Sequence, residues 1–273
     1  KNNPLKLEKG LYNVKVFIDG HEERADVRFI EYSGSLKKMY VVFCILLVAI
    51  LFCVYIILLN KKITLEVAYV IIMLMFGVFY NYIMPPLGVP DEQSHFMEAY
   101  DLSSKMIFQE EYDENGYLMI REVDYDSIHY LHTAASISEW YDSFKLWGTR
   151  DKVSSEYISS VSTRSAHAYI ASAIGITIAR ILNLSGHMLL LMGRLCNLIM
   201  MVVLVALSIK IIPFGKEFFF VLGSLPEVIY LFTSYSYDGM NFLGQMFGVD
   251  VAERVSWPVS ANGIFFIFIS EKR

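Results

Sequence analysis

The sequence predicts an integral membrane protein made mainly of α-helices, and three observations carry that expectation. Apolar residues fill 55% of the 273 positions and charged residues only 19%, where soluble domains have roughly a quarter charged. Four long apolar runs punctuate the chain, each near the ~20 residues a helix needs to cross hydrocarbon. The longest hydrophilic stretch, 85–166, holds fifteen Asp and Glu against six Lys and Arg.

Residues 1–38 read as an extracytoplasmic, β-prone fragment. Leu11 to Ile18 alternates in part, Asp19-Gly20 is a hairpin turn signal, and Arg24 to Tyr32 alternates again. Such a short piece cannot form a stable sheet alone, so it is expected to be the last hairpin of a larger β domain or an edge element.

The run 39–60 is expected to be a membrane anchor helix. It has no charge over 39–59, and at ~1.5 Å rise per residue it crosses a ~30 Å core. It is too long for a signal-peptide core and lacks a small-x-small cleavage site. The runs 64–84, 187–209 and 217–237 are expected to be further spans, since helices satisfy their own backbone groups in lipid. The second is interrupted by Asn81, the third by Arg194 and Asn197, and the fourth by Pro226-Glu227.

The acidic stretch sits in a loop spanning 85–186, and its lack of cations places it outside by the positive-inside bias. Lys61-Lys62, Lys210 and Lys216 then fall inside, while Lys37-Lys38 runs against the scheme. Residues 166–184 contain Gly175 and Arg180 and are expected to form a helix in the outer interface. The alternative is a full span, which would move Lys210 and Lys216 outside. The tail 244–273 mixes Asp250, Glu253, Arg254 and Pro258 where another span is expected, as a truncated or frame-altered product would.

Cys44, Cys53 and Cys196 lie in apolar runs without CxxC spacing and read as buried thiols. Net charge is −5, and no nucleic-acid partner is expected. Walker, GxSxG, HExxH and dinucleotide motifs are absent. Asp124-Tyr125-Asp126 has DxD spacing but reads as coincidence in an acidic loop.

The candidate chemistry begins at Pro90-Asp91-Glu92-Gln93-Ser94-His95-Phe96, just past the second run. Carboxylates and a histidine at the mouth of a membrane helix are costly unless they meet water, a metal or a substrate. Pro90 suits the first position of a helix with Asp91 and Glu92 in its first turn, where the macrodipole favours them, and that structural role is the plain alternative. On such a helix Asp91, His95 and Glu98 share one face and could hold Mg²⁺ or Mn²⁺, or form a hydrogen-bonded base. Arg164, Arg180 and Arg194 could clamp a lipid-linked phosphate, or Arg194 could snorkel to headgroups. Asp238 closes the fourth run on the side of Asp91 and Glu92. Tyr112, Tyr117, Tyr125, Tyr130, Trp140, Tyr141, Phe144, Trp147 and Tyr157 could stack on sugars or mark the membrane interface.

Pro85-Pro86 through Asp91-Glu92-Gln93-Ser94-His95-Phe96 resembles the PPDEPAHF signature of a bacterial membrane family, domain of unknown function 2142 (DUF2142). Ile174-Gly175 through Ala179-Arg180 and Gly193-Arg194-Leu195-Cys196-Asn197-Leu198 are similar to its LG…LGR…GRLxNL pattern. Pro213-Phe214-Gly215-Lys216 and Leu225-Pro226 through Ser236-Tyr237-Asp238 resemble its later segments, so the likeness covers 64–243. Gln93 replaces a usual proline, Ser165-Ala166-His167 lacks prolines, and Glu227 holds a normally apolar position.

The resemblance implies a partial GT-C-like, multispan core in a bacterial plasma membrane. It also implies a glycosyltransferase moving a sugar from a polyprenyl-phosphate donor to a cell-surface polysaccharide or similar acceptor on the outer face. Asp91, Glu92 and Asp238 are then the catalytic candidates. His95, Arg180 and Arg194 are candidate substrate-binding residues, and Asp91, His95 and Glu98 a candidate metal set. The alternatives are a non-enzymatic component of polysaccharide assembly or export, and an ion-coupled transporter.

Overall fold

A computed structural model describes residues 10–18, 21–29, 35–59, 62–129, 140, 144–157 and 166–247. The chain divides into two compact units, one of residues 1–43 with 131–144 and one of 44–130 with 145–273.

The first unit contains β1 (Gly10–Ile18) and β2 (His21–Phe29), antiparallel with Ile18 opposite His21 and Gly10 opposite Phe29. The expected hairpin strands are therefore present, with β2 starting three residues earlier than its alternation suggested. The turn pair Asp19-Gly20 lies outside the described residues.

The helices follow the apolar runs. They are α1 (Ser35–Leu59), α2 (Leu65–Ile83) and, after the hydrophilic loop, α5 (Ala166–Ile181) and α6 (Gly186–Ile211). Helices α1, α2 and α6 are long and apolar enough to cross a membrane. Only 6% of the α1 window Tyr40–Ile57 is buried by protein. A helix so apolar and so bare needs lipid around it. Helices α2 and α6 run antiparallel and in contact. Asn81 Nδ2 donates to the Leu191 carbonyl at 3.1 Å at one end, and at the other Glu66 lies within electrostatic reach of Lys210 and Lys216. A Cβ on Gly77 would collide with Leu198, so the small residue lets the two helices close up.

The fourth run differs from the expected single span. It forms two short helices, α7 (Lys216–Gly223) and α8 (Pro226–Phe232), and then an irregular buried segment to Tyr235. The break has two causes. Pro226 lacks an N–H and sits at the first turn of α8, and Gly223 is pressed on Tyr69, whose hydroxyl donates to the Gly223 carbonyl at 3.1 Å. Neither piece, at ~1.5 Å per residue, crosses hydrocarbon alone. In series they still travel from the Lys216 end to the level of Glu92, where the Tyr235 N–H is bound. Glu227, odd as a mid-span residue, is an exposed first-turn carboxylate of α8.

Between α2 and α5 come α3 (Glu92–Met106), β3 (Met119–Arg121), α4 (Glu122–Ile128) and β4 (Lys152–Ser154). Strand β3 pairs antiparallel with β4, Ile120 opposite Val153. This small sheet was not visible as alternation because each strand has only three residues. Helix α5 does not lie alone on a surface. A tight turn joins it to α6, and Gly175 meets the Met192 backbone so closely that a Cβ would strike the carbonyl oxygen. Its outer side shows Ile170, Ile174, Ile178 and Ile181, an apolar stripe at helical spacing. Helix α9 (Asp238–Phe247) ends the described chain; the tail beyond 247 lies outside the described residues.

The second unit has two apolar cores. Tyr69, Met73, Leu198, Met201, Val205 and Phe232 fill the one among the long helices. Phe96, Tyr100, Leu118, Ile120, Ile176 and Tyr235 form the other, under the hydrophilic elements.

Candidate functional site

The sequence motif that ends α2 folds around one ion pair. Arg194 Nη2 and Glu92 Oε2 are 2.7 Å apart, and Arg194 Nε donates to Glu92 Oε1 at 2.9 Å; both side chains are fully buried. Arg194 also donates to the carbonyls of Met84 (3.2 Å) and Pro85 (3.3 Å). Glu92 in turn accepts from the backbone N–H of Val89 (3.2 Å) and Tyr235 (3.0 Å). One carboxylate thus ties the end of α2, the start of α3, α6 and the fourth run together. This corrects two sequence expectations. Glu92 is placed as a buried pairing partner rather than an exposed base, and Arg194 as its counter-ion rather than a clamp or a snorkelling cation, their hydrogen-bonding groups being spent on each other and on backbone.

The Gly193-Arg194-x-x-Asn197 spacing now has a physical meaning. Gly193 makes room for the Tyr235 ring, and Asn197 Nδ2 donates to the carbonyls of Ser234 (2.8 Å) and Phe232 (3.4 Å). These carbonyls lost their helical partners at the break after α8 and must be satisfied from the side.

Asp91 is different from Glu92. It precedes α3 with φ 58° and ψ 10°, makes no side-chain cap hydrogen bond, and is exposed. Leu87 nearby also has positive φ, 61°. Left-handed backbone costs a residue such as Leu87 roughly 1–2 kcal/mol, while Asp enters it more readily, and such strain persists where surroundings over-determine it. Here the Glu92–Arg194 knot does so. The expected helix start moves by two residues, from Pro90 to Glu92, and Asp91 is a flanking residue rather than a first-turn residue.

His95, one turn into α3, is half-buried. Its Nδ1 is 2.9 Å from the Tyr169 hydroxyl, with the Tyr169 ring stacked at 5.9 Å and the Tyr237 ring edge-on at 4.9 Å. Burial holds His95 below the ordinary imidazole value, against the opposing pull of Asp238, Asp91, Glu92 and Glu98. Burial also pushes the Tyr169 phenol up. The phenol therefore keeps its proton and shares a hydrogen bond with the neutral imidazole at Nδ1, the direction of which follows the tautomer. Asp238, exposed at the start of α9, accepts from Ser236 Oγ at 2.9 Å. The charges of Asp91 and Asp238 both act on one imidazole, although 147 positions (238 − 91) separate them in sequence.

The metal expectation fares otherwise. Among the described residues no three His, Cys, Asp or Glu side chains come together to hold an ion. Asp91 has left the helical register that aligned it with His95 and Glu98, and His95 Nδ1 is engaged by Tyr169. The three do not form a donor set.

Arg180 lies at the far end of α5 from Tyr169, eleven residues or about 16 Å along the helix, and does not join the His95 cluster. Its Nη1 donates to Ser104 Oγ (2.9 Å) and Ser103 Oγ (3.2 Å), and its guanidinium lies 4.4 Å over the Tyr100 ring. Asp124, read as coincidence in sequence, is a buried partner of Arg121 at 2.7 Å and accepts from the Tyr100 hydroxyl at 3.0 Å. Of the candidate sugar-stacking aromatics, Trp147 and Tyr112 are exposed, Tyr117, Tyr125 and Tyr157 half-buried, and Trp140 buried. Arg164, Tyr130 and Tyr141 lie outside the described residues. Sequence reasoning missed Tyr169, Tyr237 and Tyr235; only the nearness of Tyr235 and Tyr237 to Asp238 could have pointed to them.

Apolar helices long enough to cross a bilayer, with charged groups gathered at one end of α2, define a membrane protein embedded in lipid. The chain belongs to the family described as "Predicted membrane protein (DUF2142)", whose model matches residues 74–247. No curated protein and no solved structure matches it.

Proposed function

We propose that this chain is a multi-pass glycosyltransferase of the bacterial plasma membrane. It moves a sugar from a polyprenyl-phosphate donor to a cell-surface polysaccharide or similar acceptor on the outer face. The observation that carries this reading is Asp91. Its carboxylate caps no helix, stands exposed on left-handed backbone, and shares His95 with Asp238. A helix-start carboxylate needs none of those features.

The step balances with the groups present. An acceptor hydroxyl oxygen attacks the anomeric carbon while its proton passes to the Asp91 carboxylate. The bond from that carbon to the phosphate oxygen breaks, its electron pair leaving with polyprenyl phosphate, and the configuration inverts. His95, held neutral by burial, offers its Nε2 to substrate as a hydrogen-bonding partner. A second feature suits a lipid-linked donor. A cavity of about 320 Å³ lies beside the break before α8, lined by Leu47, Phe76, Phe79, Ile83, Met84 and Pro226. Its apolar walls match a branched hydrocarbon chain, and Met84 at one end adjoins the Arg194 knot.

The test is sugar transfer from a radiolabelled polyprenyl-phosphate donor in membranes carrying the full-length protein. Asp91→Asn is near-isosteric and should lower turnover at least about 100-fold, the usual weight of a general base, at unchanged protein level. Equal glycan modification by Asp91→Asn and the parent protein would favour a non-enzymatic assembly component.

A further inference from the structure

The far side of the hydrophilic region holds a second feature that the transferase reading does not use. A cavity of about 370 Å³ is lined by Arg121, Arg150, Lys152 and Arg180, with Glu111 and with Ile107 at the end of α3. The hydrophilic stretch 85–166 contains only six cations among fifteen acids, yet three of the six, Arg121, Arg150 and Lys152, converge here with Arg180 from α5. Random placement on an acidic surface would disperse them, since like charges repel.

The local balance is positive. Arg121 is matched by Asp124 at 2.7 Å and Lys152 by Glu111 at 2.6 Å. Arg150 and Arg180 have no carboxylate within ion-pair distance among the described residues, which leaves about two uncompensated charges facing one space. Arg180 matters most, because it is 8% exposed. A buried guanidinium ordinarily has an acid partner. This one has two serine hydroxyls at Nη1 and an aromatic ring against its face. Only its Nη1 makes hydrogen bonds to described protein groups, so Nη2 and Nε remain for a ligand. Burial draws its pKa down, against the pull of Tyr100, Asp124 and Glu111.

We propose that this cavity is a binding site for a tetrahedral oxyanion of the phosphate type, free or as part of a phosphate ester. The cations reach it from three chain segments: Arg121 from β3, Arg150 and Lys152 around β4, and Arg180 from α5. A tetrahedral group offers oxygens in several directions at once, which a planar carboxylate does not, and guanidinium forks match its paired oxygens. The site is separate from the Asp91–His95–Asp238 cluster, at the opposite end of α3 and α5, about 20 Å away by helix rise. It does not rest on the transferase reading, and either can fail alone.

The phosphate could come from a soluble ester or from a lipid headgroup, and the experiment distinguishes them. Purified full-length protein in uncharged detergent is titrated with inorganic phosphate and pyrophosphate at constant ionic strength, with thermal stability and calorimetry as readouts. A parallel titration uses vesicles containing phosphatidylglycerol or only phosphatidylcholine. Arg150 is exposed, so Arg150→Gln should fold normally, and Lys152→Gln provides a second variant. Each should weaken binding about tenfold or more, the scale of one charge-assisted hydrogen bond. Saturable binding of pyrophosphate lost in both variants establishes the site with a soluble ligand. Binding seen only with phosphatidylglycerol vesicles, and lost in both variants, establishes it with a headgroup. Absence of binding in both titrations, or binding indifferent to both substitutions, overturns the proposal.

Discussion

Glu92 and Asp91 are neighbours with opposite surroundings, and the contrast shows how far environment decides what a carboxylate can do. Glu92 is buried, bidentate to Arg194 and bonded to two backbone N–H groups. Removing one partner of such a pair leaves an uncompensated buried charge, which typically costs 3–5 kcal/mol. Glu92→Gln or Arg194→Ala is therefore expected to reduce folded protein sharply in detergent melts, with activity lost only in proportion to folded protein. Asp91→Gly should behave in reverse. Glycine adopts the left-handed conformation freely, so the melting temperature should hold or rise while sugar transfer disappears. A fall of several degrees would return Asp91 to a structural role.

His95 supplies a pH prediction at the same scale. Its folded pKa lies below the unfolded value of about 6.5, so the unfolded chain binds the proton more readily. Its contribution to stability is complete above pH ~6.5 and is lost as pH falls through and below that value. Melting temperature measured from pH 7.5 to 5 should drop more in the parent protein than in His95→Gln. Parallel curves would show that the imidazole is not held neutral by its Tyr169 and Tyr237 surroundings.

At the scale of elements, close backbone approach explains the glycines of the motif. Gly175 lets α5 meet the Met192 backbone on α6. A methyl there has no flexible neighbour to displace, so Gly175→Ala should destabilise by about 1–3 kcal/mol through overpacking. A thermal melt checks this, and an unchanged midpoint would mean that α5 is only loosely seated. The break between α7 and α8 was half legible. Pro226 announced it, but its exact handling depended on Tyr69 reaching the Gly223 carbonyl and on Asn197 reaching the Ser234 carbonyl. Those contacts span 154 and 37 positions, and no local pattern encodes them.

For the molecule as a whole, the antiparallel pairing of α2 and α6 puts the Glu66–Lys210–Lys216 end opposite the Asp91–His95–Asp238 end. Single cysteines at Gln93 and Glu217, in a background lacking Cys44, Cys53 and Cys196, should be labelled by a membrane-impermeant thiol reagent from opposite faces. Labelling of both from one face would break this topology. The helical runs themselves were plain in the sequence, because a span needs only a continuous apolar stretch of the right length. The hairpin strands and the acidic motif were equally plain.

The sequence by itself determined that this protein enters a membrane, where its long helices lie, and that charged residues gather near Asp91. Hydrophobic length and local charge are short-range properties, and a linear reading captures them. Tertiary structure alone decided which of two adjacent carboxylates is buried and which is presented. It also decided that Arg194 is a strut, that Tyr169 engages His95 Nδ1, and that four scattered cations share one cavity. Each of these outcomes depends on desolvation and on partners distant in the chain, and the free energy of a charged group is set by what surrounds it.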